Sequence, residues 1–388
     1  MDAGGVIMLD LDVEQFWKDD ELAHEENCFS KKAPQVALGI RMSDECVFAE
    51  LGEEGDPWGY TPPERRYDLN CRYNEKAIKL VGRPLLRENK PQLVPPKVTI
   101  PKFRQIGEVF GGQYVFQGGS TWLHGTMNGE DDLKKKLAEV RALLADPEAF
   151  RSFVLPADWD ERCRGAYELY GRRAAQFKHV RGPVTLATQV YGTEDLIYLY
   201  YDDPDLFAEF GQVVGDVILA YIKLFIREAG KTEADFEHGF SFADDDSNLM
   251  TPEMYAAFGY PTLKRVFEFA APDPDDYRFQ HSDSPMGHLM PQLADFNLTA
   301  CNFGPTITVQ EIRKCMPKTR IDGQLAPFTF MSNDEEKIIA EVKRDCEAAK
   351  ENDARGLNLF TAGSINNGSL LTSMRCVMAA IQKYGRYQ

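Results

Sequence analysis

The rhythm of apolar and polar positions changes near residue 95. Before it the pattern is broken. Residues 13–27 have the spacing of an acidic helix, 35–40 that of a short strand, and 56–63 form a proline-flanked loop. A proline-rich connector, Lys90-Pro91 to Pro95-Pro96, closes this part. The pattern therefore divides the chain into an N-terminal extension, 1–95, and a larger domain, 96–388.

Beyond the connector, strand-like and helix-like runs alternate. Residues 112–116, 182–188, 240–243, 298–303, 319–322 and 356–361 read as strands. Residues 131–144, 205–228, 308–315 and 369–383 carry apolar side chains at helical spacing, and Asp146-Pro147 begins a further helix. Helix starts are marked locally. Thr251-Pro252 is a cap followed by proline at the first helical position. Thr308-x-x-Glu311 and Ser332-x-x-Glu335 are capping boxes, the second opening a helix to about Lys350. Repeated β–α units predict an α/β fold with a parallel sheet. About eight units over about 290 residues suit a closed (β/α)8 TIM barrel better than an open sheet. No G-x-G-x-x-G and no P-loop pattern is present.

Composition narrows the partners. The 388 residues include 61 acidic and 44 basic side chains, a net charge of −17. Such a surface excludes a nucleic-acid partner and adsorption to anionic membranes, and suits a basic protein partner. With no signal-like start and no run of 18 apolar residues, a soluble, cytoplasmic protein is expected. Eight cysteines without a C-x-x-C pair argue for free thiols in a reducing compartment.

The most informative stretch is Phe279-Gln280-His281-Ser282-Asp283. On a strand, the period of two puts His281 and Asp283 on one face. An imidazole and a carboxylate at a strand end begin a metal or acid/base site. Barrel chemistry collects where strands run into the following loops. That rule adds Asp244, Asp245, Asp246, Asn302, Asp322, Gln324, Gly363 and Ser364. Three adjacent acids repel one another unless a cation or hydrogen bonds neutralise them, which favours ligation at Asp244 to Asp246. Other histidines, among them His124 and His288, are expected at the surface, and Cys301 is expected to be a core thiol.

Several runs together resemble the uroporphyrinogen decarboxylase superfamily. They are Gly182-Pro-Val-Thr-Leu-Ala-Thr, Tyr201-Asp-Asp-Pro-Asp-Leu206, Ala220-Tyr-Ile222, Phe242-Ala-Asp-Asp-Asp with Thr251-Pro-Glu-Met-Tyr255, Gln280-His-Ser-Asp283 and Gly356-Leu-Asn-Leu-Phe-Thr-Ala-Gly363. The resemblance covers residues from about 100 to the end and implies a (β/α)8 barrel. It implies one of two chemistries: decarboxylation without a cofactor, or zinc-dependent methyl transfer involving a corrinoid protein. The decarboxylases carry an arginine-rich R-Q-A-G-R-Y-type segment, where this chain has Gly39-Ile-Arg41-Met-Ser-Asp44. They carry an early aspartate, where Phe116-Gln-Gly-Gly-Ser-Thr121 has no acid, and a late N-L-G-H-G, where Asn358-Leu-Phe-Thr-Ala-Gly363 lacks the histidine. The methyltransferases bind zinc through H-x-C and a later cysteine. Here His281 matches, Asp283 stands at the first cysteine and Ser364 near the second.

The resemblance therefore implies an ether-cleaving methyltransferase of the O-demethylase type. It would take a methyl group from a methoxylated aromatic and pass it to the corrinoid (cobalamin) of a partner protein. Zinc, as Lewis acid, would be held by His281, Asp283 and Asp245, with Asp244 as the alternative third ligand. Asn302 or Gln324 would orient the substrate, and Tyr191, Phe242 and Trp122 would form an aromatic wall. The N-terminal extension would cap the mouth or mediate contacts in a homodimer. Two other readings compete. A metal-free decarboxylase-like lyase would need an arginine at the mouth, for which Arg320 and Arg278 are the candidates. A binding barrel without catalysis would tolerate loss of Asp283.

Overall fold

The computed structural model describes residues 9–91, 98–117 and 120–387. Most of the expected proline connector, and Gly118 and Gly119 of the early strand end, lie outside them. The strands, in chain order, are β1 Ala37–Leu38, β2 Gln113–Gln117, β3 Ser120–His124, β4 His179–Arg181, β5 Phe240–Ala243, β6 Arg278–Ser282, β7 Ala300–Phe303, β8 Arg320–Leu325 and β9 Leu357–Thr361. No helix among the described residues is long and apolar enough to cross a membrane.

The chain forms two compact units. The first comprises Met1–Pro91, His281–Met290 and Asn297–Gln388. Its strands are parallel, in the order β1, β9, β8, β7. Register is set by pairs such as Ala37 with Asn358 and Ile321 with Leu357. All four residues of β7 are buried, as expected for a strand covered on both faces. The helix Glu335–Lys350 lays Ile338, Val342 and Cys346 along one buried stripe. Each such aliphatic side chain contributes about 1.5–3 kcal/mol on burial. The helix Leu371–Tyr384 packs on it and on Pro63–Val81.

Helix starts in this unit follow local chemistry. The Thr308 hydroxyl accepts from the Glu311 amide at 3.2 Å, and Glu311 accepts from the Thr308 amide at 2.7 Å, the expected capping box. The expected box at Ser332 is not formed. Asn333 turns the chain at φ 55° after the short helix Pro327–Met331. The next helix therefore starts two residues late, with Asp334 capping the Lys337 amide.

The second unit comprises Gln92–Gln280 and Pro291–Phe296. Here β4 and β5 are parallel, His179 beside Ser241 and Arg181 beside Ala243. The helix Pro204–Glu228 buries Phe207, Phe210, Val214, Ile218, Tyr221 and Phe225 along one side and matches the apolar spacing. One expected strand forms here but outside the parallel sheet, and another is not a strand. The run 112–116 belongs to an antiparallel hairpin of β2 with β3, a separate two-stranded sheet. The run 182–188 is helix, Pro183–Tyr191, and its strand ends earlier, at Arg181. Proline at the first helical position, and a buried carboxylate from Asp244 on the Thr185 amide at 2.8 Å, override the β-branched composition.

Candidate functional site

β6 supplies the first functional pair. Gln280 and Ser282 point inward and are buried, so His281 takes the opposite face. Two residues on, Asp283 lies just past the strand end with its side chain about half exposed, 51%. His281 Nε2 is 3.2 Å from Asp283 Oδ1. The sequence-predicted pair is thus brought together, with the carboxylate open to solvent.

Glycines make room for this carboxylate. A Cβ on Gly363 would stand 2.4 Å from Asp283 Oδ1, and one on Gly304 would stand 2.3 Å from the Asp283 carbonyl oxygen. Gly363 also has φ 108°, which side chains of L-residues rarely adopt. Ser364, expected near a ligand position, is exposed beside it.

Asn302, on β7, reaches the other side of the imidazole. Its Oδ1 is 2.8 Å from His281 Nδ1 and accepts from the Gly363 amide at 3.2 Å. Its Nδ2 donates to the carbonyls of Thr361, at 3.0 Å, and Asp322. The amide is 6% exposed, and both its oxygen and its nitrogen are hydrogen-bonded to protein. Gln324, the alternative expected to orient the substrate, lies on β8. It is wholly buried and its Nε2 donates to the carbonyls of Gly304 and Ile307, at 3.2 and 2.6 Å. Deeper in the same unit, Asp322 accepts from Arg320 Nε and Nη2, at 2.8 and 2.9 Å, and from Asn358 Nδ2 at 2.8 Å. Arg320 also donates to Asn27 at 2.6 Å. Reasoning from sequence met Asn358 only within a resemblance run and gave it no role, and it did not find Asn27, which carries no motif.

The three acids after β5 belong to the second unit and have different tasks. Asp244 is fully buried, caps the helix Pro183–Tyr191 through Thr185, and burial raises its pKa to about 7. Asp246 receives the Thr188 hydroxyl at 2.5 Å, while its amide donates to Thr185 Oγ1 at 2.9 Å. Asp245 opens the short turn Asp245–Leu249 and is partly exposed. Between the two acids left open as a third ligand, Asp244 is therefore occupied by the helix end.

Of the three aromatics expected as a wall, two are buried and one is exposed. Phe242 is wholly buried, its ring 5.1 Å from Phe240 and 5.4 Å from Phe267. Tyr191 is 4% exposed and packs edge-on against Phe210, and burial pushes its hydroxyl up to about 12. Both rings fill the core, the ordinary fate of aromatics in an α/β fold. Trp122 is exposed on the hairpin. A second grouping that sequence reasoning missed is His238, whose Nδ1 lies 3.3 Å from Asp276 and 3.8 Å from Asp273 in the second unit.

The family described as uroporphyrinogen decarboxylase (URO-D) matches residues 163–384. No curated protein matches the chain. Among solved structures, a methyltransferase from Methanosarcina mazei is similar over 90% of this chain and 94% of its own, with TM-score 0.53 and 15% identity. That likeness shows a shared fold, and with the family match it bears out the α/β barrel class expected from the β–α alternation.

Proposed function

The chain belongs to the uroporphyrinogen decarboxylase family, and from that premise we propose that it is a methyltransferase of the corrinoid-dependent, ether-cleaving type. The substrate is a methoxylated aromatic, and the acceptor is a corrinoid carried by a partner protein. The observation that carries this reading is the facing pair His281 Nε2 and Asp283 Oδ1, 3.2 Å apart on an accessible strand end. Zinc bonds of about 2.0–2.2 Å at a tetrahedral angle put neighbouring ligand atoms roughly 3.3 Å apart. The pair fits one edge of such a shell, and Gly304 and Gly363 leave the space Asp283 needs. A nitrogen and a carboxylate are harder ligands than a thiolate set and suit an ether oxygen. Bound zinc would supply Lewis acidity toward that oxygen as the phenolate leaves.

The lyase reading has less support. Arg320 is held by Asp322 and Asn27, and Arg278 donates to the carbonyls of Ala271 and Asp273. Both candidate arginines are thus engaged in holding the protein together.

The test is metal analysis of protein purified without chelator, wild type beside His281→Ala, followed by assay of methoxyarenes with a reduced corrinoid protein. Near-stoichiometric zinc that is lost in the variant, with demethylation in the wild type, is the expected result. Absence of metal from both, even after zinc is offered, sinks the reading.

A further inference from the structure

We infer that Asn302 is a positioning residue: it holds His281 in the tautomer protonated at Nδ1 and so presents the Nε2 lone pair toward Asp283. The purpose of this device rests on the metal reading above, but the tautomer itself does not.

The orientation of the Asn302 amide is set by groups other than the histidine. Its Nδ2 donates to two backbone carbonyls, those of Thr361 and Asp322. Its Oδ1 accepts from the Gly363 amide. Turning the amide over would face oxygen to two carbonyls and NH2 to an N–H, losing every one of these bonds. The atom 2.8 Å from His281 Nδ1 is therefore an oxygen that can only accept. Nδ1 must carry the proton, and in the neutral ring Nε2 keeps the lone pair.

That lone pair meets a carboxylate oxygen at 3.2 Å. Two acceptors at this distance repel unless a cation, proton or metal ion, lies between them. Asn302 is neutral and buried, so it sets the tautomer without adding charge. A hydrogen bond on the distal nitrogen of a ligating histidine both orients the ring and raises its basicity. The ring is thus prepared for a cation before any arrives.

The experiment uses metal-free, 15N-histidine-labelled full-length protein. The chain has six histidines, and His281 is identified by the resonance lost in His281→Gln. Long-range 15N–1H spectra are recorded at rising pH until the ring resonances stop moving. The expected result is an Nδ1–H ring at His281 in the wild type. In Asn302→Leu the ring moves toward Nε2–H, and zinc affinity falls about 10–100-fold. A wild-type Nε2–H ring overturns the inference, as does an unchanged ring in Asn302→Leu. The wild-type spectrum decides the matter even if that variant fails to fold. An Nδ1–H ring in protein that takes up no zinc upholds the positioning role and overturns the metal reading instead.

Discussion

Gly363 leaves empty the space that the Asp283 carboxylate occupies. A Cβ there would lie 2.4 Å from Oδ1, and φ is 108°. Gly363→Ala is expected to displace Asp283 and to lower zinc affinity at least about tenfold. The unfavourable backbone conformation adds a stability cost of about 1–3 kcal/mol. Zinc titration beside a urea melt checks both. Unchanged affinity with reduced stability would show that the carboxylate does not depend on this gap.

Gly182 plays the corresponding part at the end of β4. Its Cβ would stand 2.2 Å from both Cβ and Cγ of Asp244. Gly182→Ala should push the helix Pro183–Tyr191 off its carboxylate cap and cost about 1–3 kcal/mol or more. Equilibrium unfolding in urea reads the loss. A stability equal to that of the wild type would mean that the joint relaxes freely.

His24 offers a pH test far from the site. Its hydrogen bonds to Asp20, and then to Cys28, raise its pKa to about 10. The group is a base whose folded pKa lies above its unfolded one. Its contribution is complete below about 6.5, the unfolded value, and is lost as pH rises toward about 10. The ring is 44% exposed, so solvent screening limits the effect to about 1 kcal/mol. The stability gap between wild type and His24→Gln should shrink across that window. A gap that stays constant with pH would remove the ion pair as its cause.

Features governed by neighbours a few residues away were legible in the sequence. The Thr308–Glu311 box, the Thr251-Pro252 start and the long helix ending at Glu228 follow from side chains within a turn of the backbone they serve. The His281–Asp283 pair was legible for the same reason, because strand geometry alone puts alternate residues on one face. Residues 182–188 were misread because their β-branched composition is local, while the carboxylate that caps them is 59 positions away.

The sequence by itself determined the alternation of strands and helices beyond the connector in most of its elements, the α/β class and one half of the candidate site. Tertiary structure decided how the rest is used. β1 became a sheet strand only through β9, more than 300 residues later. Phe242 and Tyr191 became core because their elements are covered. Asn302 became a support for His281 because Thr361, Asp322 and Gly363 take its remaining hydrogen bonds. Periodicity records which way a side chain points. Whether that side chain meets a ligand, a carbonyl or a neighbouring ring depends on which distant strand lies beside it.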